Sequence, residues 1–347
     1  MITSYGYAGF SADSPLQSYT FTRRDVGEND VLIRIEYCGI CHSDIHHVRN
    51  EWHGATYPMV PGHEIIGVVE KVGTQVSRHR VGDTVGVGCM VNSCGHCHEC
   101  LDHQEQFCIQ GTTYTYNSVD TDGQTTKGGY SNNIVVDEKF VLSIPSSLNK
   151  AQAAPLLCAG ITTYSPLKHW NIQAQDKVGI VGLGGLGHMA VKIANAMGAY
   201  VVVFTTSPHK ISDAKRLGAH EVIVSSDIKN LTKHQNSFDF ILDTVSAAHD
   251  LDMYLNLLKR QKTLCMVGLS PKSHTVQSFN LIRQKNLSGS LIGGLQETQE
   301  MLNFCGQHQI SSDIELIHIN QINQAYERML KGEVKYRFVI DLGLGFP

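Results

Sequence analysis

The sequence has no apolar run approaching the ~18–20 residues that cross a bilayer, and it has no excess of basic charge. Its 28 Lys and Arg against 32 Asp and Glu give a net charge of −4, so the basic face that binds nucleic-acid phosphates is missing. The first residues, MITSYGYAGFSADSPLQ, combine neither a basic start nor an apolar segment, so we expect no signal peptide and a cytoplasmic location. We therefore expect neither a membrane protein nor a nucleic-acid partner.

Cysteine is too sparse for a disulfide scaffold, because 347 residues contain only 10 cysteines. Clustered cysteines in a reducing compartment indicate metal sites before disulfides. Most of them lie in the first half of the chain, at Cys38, Cys41, Cys89, Cys94, Cys97, Cys100, Cys108 and Cys158. With 42% hydrophobic residues and only 9 prolines, the composition is that of a globular protein long enough for two domains.

The pattern of apolar segments changes along the chain. Up to about residue 150, short β-branched runs such as 31–35 and 65–69 alternate with turn residues, which predicts a mostly antiparallel β domain. From Lys177 onward, strand-like and helix-like segments alternate, which predicts a parallel sheet covered by helices on both faces. The tail ends in a strand-like run at 336–340, and we expect it to return to the first domain.

Four cysteines with the spacing C-x2-C-x2-C-x7-C predict a structural metal site. Two-residue gaps let consecutive thiolates converge on one ion, and tetrahedral zinc held by four thiolates leaves no position for substrate. An iron–sulfur cluster is the alternative, although only one such run exists. The ion is expected to stabilise a lobe of roughly 20 residues that lacks its own apolar core. The four ligands would be Cys94, Cys97, Cys100 and Cys108.

Three dispersed residues form a second candidate set: Cys41, His63 and Cys158. Taken singly, each cysteine is more often a buried inert thiol and the histidine a loop residue. Together, two thiolates and one imidazole leave a fourth position open, which is the ligand set that alcohol dehydrogenases use for catalytic zinc. Their joint occurrence therefore favours a second, catalytic metal site.

Four motifs occur in the order CGICHSD, GHE, the four-cysteine run and GLGGLG. Together they resemble the zinc-dependent medium-chain dehydrogenase/reductase superfamily. YPMVPGHEIIGVVEKVG and GSLIGGLQETQEML resemble its cinnamyl alcohol dehydrogenase-like branch, which includes bacterial aldehyde reductases. The resemblance covers essentially the whole chain. It implies a GroES-like zinc-binding catalytic domain (residues 1–157 and 295–347), a Rossmann dinucleotide-binding domain (158–294), and a homodimer joined through a strand near 287–292.

The resemblance also implies roles for residues around the catalytic zinc. Cys41, His63 and Cys158 would be the ligands, and Glu64 an alternative or transient ligand. Asp44 would accept a hydrogen bond from the ligand histidine and fix its tautomer, or it would cap a helix.

A proton relay is implied as well. Ser43 would pass the alcohol proton through the nicotinamide ribose to His46 and out to solvent. His47 is adjacent and remains an alternative to His46.

A glycine-rich segment follows the strand that ends at Val181 and opens a helix. Its glycines permit a tight turn and close approach to a pyrophosphate, whose charge lies at the helix N-terminus. The segment consists of Gly182, Leu183, Gly184, Gly185, Leu186 and Gly187.

The end of the next strand predicts the cofactor. An NAD site would place an Asp or Glu there, about 20 residues on, to bind the ribose 2′-hydroxyl. No acid occurs before Asp213, and hydroxyls plus a lysine suit a 2′-phosphate, so we predict NADP(H) and two zinc ions per chain. An exposed lysine at a helix start is the alternative for Lys210. The residues expected to bind the 2′-phosphate are Thr205, Thr206, Ser207 and Lys210.

By position, Trp52, Met90, Tyr114 and Leu295 are candidates to line an apolar cleft near the zinc, with core packing as the alternative for each. The cinnamyl branch often has Trp where Tyr114 falls, so a broad aldehyde reductase fits better than a strict monolignol enzyme. We expect hydride transfer between NADP(H) and small aromatic or aliphatic alcohol/aldehyde pairs. The alternatives are a polyol or secondary-alcohol dehydrogenase, or a non-catalytic zinc- and NADPH-binding redox sensor.

Overall fold

The computed structural model describes residues 1–270 and 272–345, which form two compact units. Unit 1 comprises Met1–Cys158 and Gly293–Pro347, and unit 2 comprises Ala159–Ile292. The expected domain boundaries, 157/158 and 294/295, lie one and two residues from these divisions. Within the described ranges, no helix has the length and apolarity to pass through a bilayer.

Strands dominate the first part of the chain, and strands alternate with α-helices from β10 onward. The strands are β1 Ile2–Ala8, β2 Gln17–Arg23, β3 Asp30–Gly39, β4 Ile65–Val72, β5 Thr84–Val87, β6 Met90–Asn92, β7 Thr113–Tyr114, β8 Asn133–Asp137, β9 Leu142–Ser143, β10 Lys177–Val181, β11 Tyr200–Thr205, β12 Glu221–Val224, β13 Phe238–Asp243, β14 Leu258–Met266, β15 Asn286–Gly289, β16 Ile314–His318 and β17 Arg337–Asp341. The α-helices are α1 His42–Val48, α2 His98–Leu101, α3 Lys150–Ala153, α4 Ala159–His169, α5 Gly187–Ala196, α6 Ile211–Leu217, α7 Ile228–Thr232, α8 Leu251–Leu255, α9 Ser278–Ile282, α10 Leu295–His308 and α11 Ile322–Leu330. Short 3₁₀ helices are formed by Glu105–Phe107, Glu138–Phe140, Ala154–Leu157, Pro208–Lys210 and Ile319–Gln321.

Unit 1 is built around a mostly antiparallel seven-stranded sheet of order β16-β17-β3-β4-β5-β9, with β8 also paired to β3. Alternate residues of β3 are buried, as in Val31, Ile33 and Ile35, because successive side chains of a strand point to opposite faces. The tail strand β17 runs antiparallel to β3, with Val339 opposite Gly39. The C-terminal segment is thereby part of the β-rich unit.

Unit 2 contains a six-stranded parallel sheet of order β12-β11-β10-β13-β14-β15. Val201, Val202 and Val203 are all fully buried, as expected for a strand covered on both faces. The chain leaves β12 at one edge and re-enters beside β10, so the strand order switches at β10 and β13. In doubly wound sheets the ligand binds at the carboxyl ends of the strands at this switch point. The predicted fold class, a GroES-like β-rich domain with a Rossmann sheet, is confirmed.

Replacement of Phe204 should destabilise unit 2 selectively. Its ring is fully buried and lies 5.4 Å from the ring of Phe238 and 5.3 Å from that of Tyr254. We expect Phe204→Ala to lower the free energy of unfolding of this unit by about 3–5 kcal/mol through lost apolar contacts and a cavity. Urea unfolding would be followed by Trp170 fluorescence in a Trp52→Phe background.

Tyr200→Ala on the same strand is the matched control, since that ring is 39% exposed. We expect it to cost about 1 kcal/mol or less. Equal losses in the two variants would contradict the assignment of Phe204 to the core of unit 2.

Candidate metal centres and dinucleotide-binding loop

The four-cysteine lobe, residues 93–112, brings its four thiols together. The sulfur atoms of Cys94, Cys97, Cys100 and Cys108 all lie within 4.8 Å of one another. Backbone N–H groups point at them, with Cys97 N 3.3 Å from Cys94 Sγ and Cys94 N 3.4 Å from Cys108 Sγ. Hydrogen bonds from the backbone at Cys100 and Ile109 lower the pKa of Cys97 to about 6. Four thiolate donors in a closed cluster fit tetrahedral zinc.

A second cluster combines Cys41, His63, Glu64 and Cys158, whose donor atoms lie within 4.8 Å of one another and are all buried. Cys41 is the N-cap of α1 and lies two residues after the end of β3, while His63 and Glu64 immediately precede β4. Cys158 is the last residue of the first segment of unit 1, and its Sγ lies 3.9 Å from that of Cys41. Two thiols and an imidazole fit the open zinc site of a dehydrogenase.

The carboxylate of Asp44 accepts hydrogen bonds from residues of this second cluster. Its Oδ1 accepts from His63 Nδ1 at 3.0 Å and from Gly62 N at 3.1 Å. Its Oδ2 accepts from Cys41 N at 2.8 Å and from Tyr130 OH at 3.1 Å. The carboxylate therefore orients the imidazole and also caps α1, which the sequence analysis treated as alternatives. Since Nδ1 is engaged, Nε2 is the His63 atom left to bind a metal.

Gly62 is required for the turn that presents His63. It has φ 102°, in the left-handed region, and a Cβ there would come within 2.6 Å of Tyr130 Cδ1 and 2.9 Å of Cys38 Sγ. Only glycine satisfies both the backbone conformation and the close contact. The glycine of the GHE segment is therefore required by its backbone conformation and its packing.

Glu64 forms a buried ion pair with Arg337 on β17, through Oε1 and Nη2, and these side chains are 0% and 4% exposed. Among the described residues, Glu64 Oε2 has no hydrogen-bond partner. Burial raises the pKa of Glu64 to about 7, although the charge of Arg337 opposes the shift. One carboxylate oxygen is therefore held by Arg337, while the other lies against Gly39 and has no hydrogen-bond partner among the described residues. Sequence reasoning missed Arg337, although a lone arginine in the apolar run 336–340 was a usable signal.

The candidate relay residues share the first turns of α1. Ser43 Oγ lies 3.6 Å from Cys41 Sγ, and His46 lies three residues further on, on the same side of the helix. His46 Nδ1 pairs with Glu51 Oε2, a partner that the sequence analysis missed. His47 instead packs edge-on against Trp52 and Tyr116, and burial lowers its pKa.

The candidate substrate residues fall into separate places within unit 1. Met90 on β6 is directly opposite Tyr114 on β7, with exposures of 4% and 40%. The Trp52 ring lies 4.8 Å from that of His46. Leu295 is the first residue of α10, and its N–H donates to Glu105.

A further thiol, Cys89, lies beside the second cluster. Its Sγ is 3.8 Å from the carbonyl oxygen of Leu157, and a hydrogen bond with Cys158 lowers its pKa. It is not one of the clustered donor atoms. No motif in the sequence assigns a role to this cysteine.

In unit 2, the glycine-rich segment turns from β10 into α5. Gly182 has φ 89°, and a Cβ there would lie 2.9 Å from Val245 Cγ2. A Cβ on Gly187 would overlap the carbonyl oxygen of Gly182, whereas one on Gly184 would meet no atom within 4 Å. The segment is therefore tightly packed on its inner side and open at Gly184, beside the N-terminus of α5. This cradle fits a pyrophosphate.

The end of β11 lies next to the same segment. Lys210 Nζ donates to the carbonyl oxygen of Leu183 at 2.9 Å. Thr205 Oγ1 accepts from Ser207 N at 3.1 Å, and Thr206 is exposed. Asp213, the first acid after the strand, lies on α6, 3.7 Å from Arg216. The structure thus gathers hydroxyls and a lysine at the end of β11, where an NAD site would have a carboxylate.

Comparison with known proteins identifies the family. Residues 27–146 match the alcohol dehydrogenase GroES-like domain, and residues 185–307 match the zinc-binding dehydrogenase domain. The chain is 55% identical over 336 residues to aldehyde reductase YahK of Escherichia coli (strain K12), covering 96% of each. The chain belongs to the zinc-binding alcohol dehydrogenases. This family is the medium-chain superfamily indicated by the sequence motifs.

Other relatives of this zinc-binding alcohol dehydrogenase agree with that assignment. NADP-dependent alcohol dehydrogenase C of Mycobacterium tuberculosis is 53% identical over 343 residues, covering 99% of each chain. The crystal structure of a cinnamyl alcohol dehydrogenase from Helicobacter pylori complexed with NADP(H) superposes with a TM-score of 0.94 at 46% identity, covering 99% of each chain. A cinnamyl alcohol dehydrogenase from Sorghum bicolor gives a TM-score of 0.96 at 43% identity, covering 99% and 98%. The predicted resemblance to the cinnamyl branch is confirmed, and the zinc-binding alcohol dehydrogenase is an oxidoreductase.

Asp44→Asn should weaken zinc binding at the second cluster. The amide keeps the side-chain volume but replaces one accepting oxygen with a donor, so His63 loses its orientation. We expect zinc affinity there to fall roughly 10–100-fold, as for other groups that orient metal-bound histidines. Zinc content during chelator competition should drop from about two to about one per chain.

Asp83→Asn is the matched control, because Asp83 makes a surface ion pair with Arg80. It should retain zinc as the parent does. Loss of both ions, or of neither, from Asp44→Asn would refute the role given to this carboxylate.

Proposed function

We propose that the chain is a broad aldehyde reductase that transfers hydride between NADP(H) and small aromatic or aliphatic alcohol/aldehyde pairs. The cluster of Cys41, His63 and Cys158, oriented by Asp44, carries the proposal. Bound zinc would act as a Lewis acid on the reacting oxygen, and the nicotinamide ring would donate or accept hydride. Glu64, whose Oε2 has no hydrogen-bond partner among the described residues, would serve as the alternative ligand.

The four-cysteine lobe would hold a second zinc in a structural role. Its four donors leave no open position, so the lobe takes no part in the chemistry. All ten cysteines are free thiols in the structure, which suits a reducing cytoplasm.

Ser43 and His46 would move the proton. During alcohol oxidation, Ser43 Oγ would accept the proton of the substrate hydroxyl and would release its own proton toward His46. His46 Nδ1 is engaged by Glu51, so Nε2 is the atom that accepts the proton and releases it to solvent. In aldehyde reduction the same groups return the proton to the product oxygen.

The dinucleotide would bind along the carboxyl ends of β10 and β11. The open side of Gly184 and the N-terminus of α5 would receive the pyrophosphate. Lys210 would exchange its bond to the Leu183 carbonyl for the 2′-phosphate, with Thr205, Thr206 and Ser207 as hydroxyl donors. Relatives whose names include NADP-dependent alcohol dehydrogenase support this assignment.

Trp52, Met90, Tyr114 and Leu295 would line the substrate pocket. A pocket of apolar side chains discriminates weakly between substrates that differ by a methylene, which suits a broad range of aldehydes. A polyol dehydrogenase is the second candidate, because a probable mannitol dehydrogenase of Mesembryanthemum crystallinum is 48% identical, covering 98% and 94%. A panel of benzaldehyde, butanal and mannitol with each cofactor separates the two. No feature favours the non-catalytic sensor.

A homodimer is also proposed. β15 is an edge strand of the unit 2 sheet, and such an edge offers unpaired backbone groups to a second copy. Exposed apolar side chains lie near it in the chain, including Phe279, Leu281, Ile282 and Leu291, with exposures of 57, 48, 75 and 46%. A second copy would cover these residues and continue the sheet.

The cofactor ratio tests the proposed function. We expect kcat/KM with benzaldehyde to be higher for NADPH than for NADH. Lys210→Ala should lower the NADPH value roughly 10–100-fold by removing a charge-assisted hydrogen bond, and should leave the NADH value nearly unchanged. Lys233→Ala, an exposed lysine elsewhere in unit 2, is the control. A preference for NADH would overturn the cofactor assignment.

The relay is tested by His46→Gln. At neutral pH we expect kcat for alcohol oxidation to fall about 10²-fold, because proton release loses its acceptor. Both zinc ions should remain bound. His47→Gln should have a small effect, and the reverse ranking of the two variants would transfer the relay to His47.

Multi-angle light scattering tests the dimer. Ile282→Lys combined with Leu291→Lys should convert a two-chain species into a monomer, because two charges would be buried in an apolar contact. Val81→Lys, at an exposed apolar residue of unit 1, should not change the mass. A parent protein that runs as a monomer at micromolar concentration would exclude the dimer.

A further inference from the structure

Helix α10 begins without a side chain of its own to satisfy its first N–H groups. Its N-cap is Gly294, and the first turns of helices normally need an acceptor from the N-cap residue. The acceptor comes from another part of unit 1. Glu105 of the four-cysteine lobe, only 9% exposed, receives the Leu295 N–H on Oε2 at 3.0 Å.

The lobe lies directly against this helix start. A Cβ on Gly294 would overlap the carbonyl oxygen of His103 and lie 2.8 Å from Glu105 Oε2. A glycine is therefore needed here for the close approach of two backbones. The contact between lobe and helix is built into the sequence of both partners.

The chain also enters α10 through a strained residue. Ile292 has φ 39°, a left-handed conformation that β-branched residues avoid. Such a conformation persists only where the surroundings hold the neighbouring backbone in place. The bond from Leu295 to Glu105, three residues later, is such a constraint.

Glu105 is in turn fixed by the lobe. Its carbonyl oxygen accepts from Cys108 N at 3.1 Å and from Thr112 Oγ1 at 2.7 Å. The lobe has little apolar core of its own, since Leu101, Phe107 and Ile109 are 68, 48 and 62% exposed. Its shape must therefore depend on the closure of the four thiols, of which Cys108 is one.

We propose that Glu105 is a positioning residue that transmits closure of the four-cysteine lobe to the first turn of α10. The lobe thereby fixes the placement of Leu295. That Leu295 lines the substrate pocket rests on the proposed function. A lobe remote from the chemistry would then influence aldehyde binding without touching the catalytic cluster.

Hydrogen–deuterium exchange of the two-zinc protein tests the proposal. Glu105→Gln keeps the side-chain volume and removes the charge, so exchange at residues 293–300 should speed up roughly tenfold. Thr112→Val, which loosens Glu105 without altering its carboxylate, should give a smaller increase in the same segment. Glu297→Gln, in the first turn of the same helix, is the matched control and should stay within about twofold of the parent.

Kinetics separate positioning from a general loss of stability. Glu105→Gln should raise KM for benzaldehyde several-fold, with kcat and zinc content close to those of the parent. Parent-like exchange at 293–300 in Glu105→Gln, with both zinc ions bound, would overturn the proposal. Faster exchange with an unchanged KM would overturn the link to substrate. Failure of the parent to reduce benzaldehyde would instead overturn the proposed function, because the exchange measurement needs no turnover.

Discussion

The catalytic cluster depends on one buried carboxylate. Asp44 is 0% exposed, and burial of a carboxylate costs several kcal/mol unless its charge is compensated. Compensation comes from four donors: the backbone N–H groups of Cys41 and Gly62, the imidazole of His63 and the phenol of Tyr130. Because two of these donors belong to proposed metal ligands, the same bonds that compensate the buried charge also set the distance between a thiol and an imidazole.

The sheet brings these donors to one place. β3 ends at Gly39, two residues before Cys41, and β4 starts directly after Glu64, so the antiparallel pairing of the two strands puts both segments at one edge. Gly39 N donates to the carbonyl of Glu64 at 3.0 Å, which locks that edge. The positions of the proposed ligands therefore follow from strand register, and the alternating burial of Val31, Ile33 and Ile35 on β3 helps to set that register.

Residues with a local signature could be predicted from the sequence. The four-cysteine spacing, the glycine turn before α5 and the switch from β-branched runs to alternating strands and helices are short-range patterns, and they gave the fold class directly. Partners without such patterns were missed. Arg337 is 273 positions from Glu64, and Tyr130 is 86 from Asp44, so no window of sequence contains either contact. Glu51 lies within five residues of His46 but carries no motif that distinguishes it from a solvated acid.

The pocket residues show a different limit. Met90 and Tyr114 pair across two very short strands, yet one is nearly buried and the other is 40% exposed. Hydrophobicity predicts burial for both, and only the packing around β6 and β7 separates them. Apolar residues in a sequence therefore predict a buried core more readily than a binding surface, because cores and binding surfaces are lined by the same types of side chain.

Cys158 closes the first segment of unit 1, and Ala159 opens unit 2. Among the described residues, the proposed metal donors, from Cys41 to Cys158, thus lie outside residues 159–292, while the glycine turn and Lys210 lie inside. Residues 159–292 therefore form a separable segment of the chain. Replacing this segment with the equivalent segment of a relative would exchange the nucleotide preference in one step. The metal-binding half would keep its full complement of thiols, and a designer need not rebuild it.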